Sequence, residues 1–422
     1  KLHQGKRYCI KQMITVNKIP ELRKIRNGQV FKINKSPNVY THSIFKYPAK
    51  FTPEIPNWFI RNCTIEKDLI LDCFCGSGTS LLEASLLGRR PLGIDFDPIS
   101  QLLTRTKTTH LNKSEIFKIK RFFKKLTKKN KRKFYPDLEN LNHWFQKDNL
   151  ISLSNIINNI NDLEGVNKRI LNFLKVCFIS IIRKSSNADD VSPKPYVSKR
   201  INKKKYDTNE LFIKAIEKNL NIFKNATNKP KYIAKIIGKD ARKKIIYKQK
   251  IDHIICSPPY INSFDYVRIL RLENLWLQNF KSSEIINHKK NQIGNELIPS
   301  NIYKLKPKKI GIKTLDEIIS NIYTLDKIRS HTVANYFIDM KKNILEIKKK
   351  LRPNGYFCIV IGDCVVRGIK IEVHKFLMKI MEKEGYESVK YFSYIIKNPY
   401  LRIPRSGKGG QTILDHVVIM KK

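Results

Sequence analysis

Apolar positions along the chain switch between two periods. Residues 69–72 (Leu-Ile-Leu-Asp) form a short unbroken apolar run closed by an acid, as expected of a strand covered on both faces. A tight glycine-bearing loop follows over 73–78. Residues 79–87 then carry apolar side chains at 81, 82, 86 and 87, a helical spacing that stops at Gly88. Residues 91–95 return to strand, so this stretch reads as one βαβ unit. Upstream, 1–40 is a basic extended arm or a set of short strands, and a Pro-punctuated loop leads into a helix over 55–62 with Pro56 in its first turn. Downstream, 105–135 reads as a basic helix, 150–183 as two apolar helices, 185–205 as a polar loop and 209–223 as a helix. Short β-branched runs at 232–237 and 251–256 restore the strand pattern, and 264–280 reads as a helix. A polar, basic stretch over 281–330 precedes a helix over 333–350, a strand over 356–361, a helix over 371–384, and strands over 389–396 and 412–420. The alternation predicts an α/β fold with a doubly wound sheet whose last strands form a hairpin. Five segments result: a first part of the core (40–110), a basic helical insertion (111–230), a second part of the core (231–280), a second insertion (281–332) and a closing part of the core (333–422).

Composition adds one strong signal. There are 83 Lys and Arg against 36 Asp and Glu, a formal net charge of +47, while a hydrophobic fraction of 41% is enough to build a core. A coding bias toward Lys, Asn and Ile would enrich Glu too, yet acids stay few. The excess therefore points to a polyanion, whose phosphates such a surface would neutralise. Thirteen Lys and Arg fall within 105–135 beside a single acid, Glu115, and a further basic run covers 199–205. No apolar run reaches the ~18 residues of a membrane span, and 1–4 show no leader pattern, so a cytoplasmic protein is expected. Eight scattered cysteines include no C-x-x-C pair, which predicts reduced, packed thiols and no metal site.

Two strand ends carry candidate chemistry. Asp72-Cys73-Phe74-Cys75-Gly76-Ser77-Gly78-Thr79 sits at a strand-to-helix turn, where glycines admit a ligand close to the backbone and the helix offers free N–H groups. Asp95 ends the next strand, placed to accept from two ribose hydroxyls. With two glycines instead of three, the loop favours a nucleoside without a diphosphate, S-adenosylmethionine foremost. The second strand end is Ser257-Pro258-Pro259-Tyr260. Its prolines stop the strand, the Pro258 carbonyl and Ser257 Oγ are acceptors, and Tyr260 gives a flat face for a planar ring bearing an amino group. Alone it is compatible with a plain Pro-Pro turn; beside a cofactor loop in the same predicted sheet it reads as a reaction site.

These residues resemble a known family, the exocyclic-amino DNA methyltransferases of restriction–modification systems. Asp72-x-Phe74-x-Gly76-x-Gly78 resembles the cofactor loop and Ser257-Pro258-Pro259-Tyr260 the catalytic loop. Tyr47-Pro48-Ala49-Lys50-Phe51-Thr52-Pro53 resembles the element before the cofactor loop, and Gly93-Ile94-Asp95-Phe96-Asp97-Pro98 the second cofactor segment. Gly238-Lys239-Asp240-Ala241-Arg242 is similar to the third, with Lys239 inserted into the usual Gly-Asp pair, and Cys73 stands where the family has Pro. The likeness covers roughly 40–105, 232–280 and 335–422. It implies a Rossmann-like, seven-stranded, mostly parallel sheet and S-adenosylmethionine held by Lys50, Phe51, Asp72, Phe74, Gly76, Ser77, Gly78, Thr79, Asp95, Phe96, Asp240 and Ala241. It also implies catalysis by Ser257, Pro258, Pro259 and Tyr260, double-stranded DNA as substrate, and a partner restriction endonuclease. Ser in the first catalytic position goes with the 4-amino group of cytosine. The insertions at 105–135 and 198–205 are the expected DNA contacts, and Asp265, Tyr266 and Arg268 are assigned to the target pocket. The competing readings are adenine as target, an RNA amine as target, and a non-catalytic basic nucleic-acid-binding protein.

Overall fold

The structure is a computed structural model and describes residues 13–34, 40–48, 50, 52–163, 165–192, 194–198, 200, 203–226, 228–261, 265–396 and 413–422. Its centre is a mixed, largely parallel sheet. In chain order the strands are β1 (Met13–Val16), β2 (Gln29–Ile33), β3 (Leu69–Asp72), β4 (Arg90–Ile94), β5 (Lys235–Gly238), β6 (His253–Cys256), β7 (Tyr356–Gly362), β8 (Cys364–Val366), β9 (Ile369–Ile371), β10 (Glu387–Ile395) and β11 (Leu414–Lys421). The sheet runs β1-β2-β10-β11-β7-β6-β3-β4-β5, with β8 and β9 forming a separate hairpin. β7, β6, β3, β4 and β5 are mutually parallel, and β11 runs antiparallel between β7 and β10. The doubly wound α/β sheet with a closing antiparallel pair is thus as expected, but it has nine strands, not seven. β1 and β2 extend it: β2 pairs in parallel with β10 through Phe31 and Tyr394, because Phe31, buried and packed edge-on against Phe392, gives the arm an apolar anchor.

Helices cover both faces. They are α1 (Glu54–Cys63), α2 (Thr79–Leu86), α3 (Pro98–Lys107), α4 (Lys113–Leu126), α5 (Lys147–Asn161), α6 (Lys168–Ser185), α7 (Thr208–Lys224), α8 (Arg271–Trp276), α9 (Lys313–Leu325), α10 (Lys327–Lys350) and α11 (Val373–Lys383). α1 buries Ile55, Trp58 and Phe59 on one face of the sheet; α10 and α11 bury Phe337, Met340, Leu377 and Met381 on the other. The first insertion is not separate from the core: α5, α6 and α7 pack around Phe173 and Phe178 in one apolar cluster that also takes in Leu82 of α2, Leu103 of α3 and Trp276 of α8.

Several boundaries shift for local reasons. The basic stretch 105–135 is not one helix. α3 ends at Lys107, and α4 starts afresh at a capping box in which Asn112 Oδ1 accepts from the Glu115 N–H and Glu115 Oε2 from the Asn112 N–H. The expected helix over 264–280 splits into Tyr266–Ile269, capped by Asp265, and α8; Phe264 lies outside the described residues. α10 begins earlier than 333 because Asp326 accepts from the Arg329 N–H at 3.0 Å. The β8–β9 hairpin was not expected; Arg367 and Gly368 turn it with φ of 49° and 83°. Of the strand expected over 412–420, Thr412 lies outside the described residues. No helix among the described residues is long and apolar enough to cross a membrane, and the seven described cysteines are free and buried.

Candidate active site

Parallel pairing of β3 with β6 (Ile70 opposite His253, Leu71 opposite Ile254) sets their carboxyl ends side by side. The loop after β3 and the Ser257–Tyr260 segment after β6 therefore share one edge of the sheet, the edge where open α/β sheets bind ligands.

The first loop is tightly determined. The buried Asp72 carboxylate accepts from the Phe74 N–H at 3.0 Å and from the Ser80 hydroxyl. Burial raises this carboxyl to about 7, against the pull of those two donors. Gly76 and Gly78 adopt φ of 47° and 75°. At Gly78 a Cβ would lie 2.8 Å from Thr104 Cα, so only glycine fits between the loop and α3. Asp95, just past β4, accepts from the Gly76 N–H at 2.7 Å and from the Asp97 N–H at 3.0 Å; burial raises it too to about 7. Ser77 and Thr79 are buried, and among the described residues Thr79 Oγ1 has no hydrogen-bond partner.

Other expected cofactor residues are placed differently. Lys50 Nζ donates to the His42 carbonyl at 2.8 Å, while Phe51 lies outside the described residues. Phe96 is partly buried against the helical insertion, its ring 6.1 Å from His288. Asp240 is engaged by Arg242 through both carboxylate oxygens, and Arg242 also reaches Asp339 at 2.8 Å. Burial pushes the Asp240 carboxyl up, yet the Arg242 bonds hold it below its ordinary value. The Ala241 carbonyl accepts from Asn343. This segment therefore stands as a cross-braced wall beside the loop.

In the second loop Pro258 is buried, and Ser257, Pro259 and Tyr260 are partly exposed. The Tyr260 hydroxyl donates to Asp415 Oδ1 at 2.5 Å, and the Tyr394 hydroxyl donates to Asp415 Oδ2 at 2.8 Å. Burial raises the Asp415 carboxyl and the two tyrosine donors oppose it. Asp415 was missed from the sequence: it stands 155 residues from Tyr260, and an acid opening a strand gives no local sign of its partner. Tyr266 stacks on Tyr47, with ring centroids 6.0 Å apart, and Tyr47 flanks Gly76. Asp265 caps the short helix and pairs with Lys289 at 2.9 Å.

Asp363, His374 and His416 cluster beside Asp415: His416 follows it in the chain, and Asp363 follows Gly362, the pairing partner of Asp415 on β7. Asp363 Oδ1 lies 2.7 Å from His374 Nδ1 and Oδ2 lies 3.4 Å from His416 Nε2. The imidazoles stack face to face, 3.7 Å apart and 11° from parallel. Their in-plane lone pairs run side by side instead of converging on a point, so the carboxylate is the shared partner.

Not all the basic residues expected at the surface are there. Lys107 is fully buried. Lys203 is turned inward, donating to the carbonyls of Arg183, Ser186 and Ala188 at the end of α6; Lys199 lies outside the described residues. Lys118, Lys120, Arg121 and Lys125 of α4 are exposed, opposite the buried Ile119 and Leu126.

With this geometry in hand, comparison with known proteins is informative. A model of the N6/N4 DNA methylase family matches residues 6–102, which include the whole first loop and Asp95. The Type II methyltransferase M.MvaI of Kocuria varians is 25% identical over 415 residues, covering 92% of this chain and 90% of that protein. These likenesses support a DNA methyltransferase. Shorter stretches are similar to the Type II methyltransferases M.MjaII of Methanocaldococcus jannaschii (33% identical over 92 residues; 22% of this chain, 17% of that protein) and M.BsoBI of Geobacillus stearothermophilus (35% over 79 residues; 18% and 15%).

Proposed function

We propose that the chain is a site-specific DNA methyltransferase that moves a methyl group from S-adenosylmethionine to the exocyclic 4-amino group of cytosine in duplex DNA. The observation that carries the reading is the adjacency of the Asp72–Thr79 loop and Ser257–Tyr260 at one sheet edge. The residues fit such a cofactor. Asp95 is an acceptor held only by backbone N–H groups, Thr79 Oγ1 lacks a partner, and the glycine turns leave backbone N–H groups at a helix start. When bound, S-adenosylmethionine supplies a methyl group on a positively charged sulfur.

The work of the chain is on the acceptor. An exocyclic amine is a poor nucleophile because its lone pair is conjugated into the ring. Ser257 Oγ and the Pro258 carbonyl accept its N–H bonds and favour the lone pair out of the plane. As positive charge grows on nitrogen these acceptors bind more strongly, so they favour the transition state over the ground state. Tyr260, anchored through Asp415, provides the face on which an extruded base stacks, since a base inside the duplex is out of reach. The resemblance also assigns Lys50, Phe51, Phe74, Phe96, Asp240 and Ala241 to the cofactor side. The exposed basic face of α4 contacts phosphates. The resemblance of the catalytic loop and the Type II relatives support a role in shielding host sites from a partner endonuclease.

Incubating the protein with cofactor and duplex DNA and digesting to nucleosides tests this by mass spectrometry. The expected product is N4-methylcytosine. N6-methyladenine would move the target to adenine, label in RNA alone would make it an RNA enzyme, and duplex binding without transfer would leave only a binding protein.

A further inference from the structure

A buried lysine under the first loop has no charge partner. Lys107 ends α3, has no exposed surface, and among the described residues its ammonium makes one hydrogen bond, to Ser77 Oγ at 3.1 Å. Among the described residues no carboxylate lies within ion-pair range of it; the charged group that acts on it most is another lysine, Lys50. Burial first, and Lys50 second, push its basicity well below the ordinary lysine range. An enclosed ammonium satisfied by a single hydroxyl is costly, so its retention calls for an anion.

Hydrogen-bond direction says where the anion lies. An ammonium only donates, so Ser77 Oγ accepts and its own proton is free to point elsewhere. Two residues on, Thr79 Oγ1 is buried and without a partner, at the start of α2, whose first N–H groups are also unpaired within the helix. At the other end of the loop Asp95 repels anions. Ser77, Thr79 and the helix start thus form a donor set backed by buried positive charge. Lys107 and Thr79 are too deeply enclosed for a DNA phosphate. S-adenosylmethionine carries one anionic group, the carboxylate of its amino-acid arm.

We propose that Lys107 is the counter-charge for that carboxylate, acting as a positioning residue through the Ser77 hydroxyl, with Thr79 as a direct donor. The inference rests on the reading of the loop as a cofactor site. Calorimetric titration without DNA tests it, using S-adenosylmethionine and its decarboxylated analogue, which keeps the adenosine, sulfonium and amine. Wild type should bind the carboxylate-bearing compound about tenfold or more tighter. Lys107→Met and Ser77→Ala should each bring the two affinities to within about twofold, mainly by weakening the carboxylate-bearing one. Cofactor-free Lys107→Met should melt no lower than wild type, because it keeps the methylenes and removes a buried charge. Retained discrimination in Lys107→Met overturns the proposal. So does a variant that melts far lower or does not fold, since that makes the ammonium a structural tie. Wild type binding both compounds equally also overturns it while leaving the cofactor site intact; binding of neither sinks the cofactor reading itself.

Discussion

Under the proposed function, Ser257 and Asp95 do opposite kinds of work with simple groups. In the proposed reaction Ser257 is an acceptor whose value rises only as charge develops, so Ser257→Ala should lower kcat by about a hundredfold with cofactor affinity unchanged by calorimetry. Equal loss of both would mean the hydroxyl belongs to the cofactor side. Asp95 acts in the ground state. Its carboxyl sits at about 7 in the folded chain against an ordinary 3.8. A raised carboxyl stabilises the fold below its unfolded value and loses that contribution as pH rises through 7; Asp72, also at about 7, behaves alike. Cofactor-free protein should therefore lose stability from these two groups between about pH 4 and pH 7. Asp95→Asn should flatten that part of a melting-temperature profile while weakening the cofactor about tenfold or more. Wild-type affinity should fall as pH drops from 8 to 6, where the carboxylate takes up its proton, and a profile flat over that range would remove Asp95 from the cofactor's contacts.

Elements matter through what they bring together. Asp415 is the second residue of β11, Tyr394 lies on β10 and Tyr260 follows β6, so one carboxylate ties the Ser257–Tyr260 loop to the antiparallel pair. Tyr260→Phe and Asp415→Ala remove the same tie, so the double variant should be no slower than the worse single one. Additive losses in single-turnover rates would show that the hydroxyl and the carboxylate act separately. The same elements mark what a sequence can reveal. The Asp72–Thr79 loop and Ser257–Tyr260 were readable because each is a contiguous strand end followed by residues with restricted backbone choices. The cage around Asp415 was not, because its members meet only through strand order. Lys107 was misread for a related reason: it lies at the head of a run of thirteen basic residues, yet the turn before Asn112 directs α3 inward and α4 outward. The contact of Arg242 with Asp240 was equally illegible, although only two residues separate them in the chain.

At the scale of the molecule, the net charge of +47 predicts duplex binding that weakens steeply with salt. Replacing Lys118, Arg121 and Lys125 with Gln should lower the log–log salt slope by about 2–3 if α4 tracks the phosphates; an unchanged slope would shift the contact to another basic segment. The sheet carries a different consequence. β2, second from one edge of the sheet, pairs with residues 392–394 of β10, far along the sequence from it. During synthesis, Phe31 is made long before Tyr394, its pairing partner on β10. A sheet closed by so distant a pair is exposed to mispairing while it is made, and its slowest folding event should be the late docking of β2 on β10.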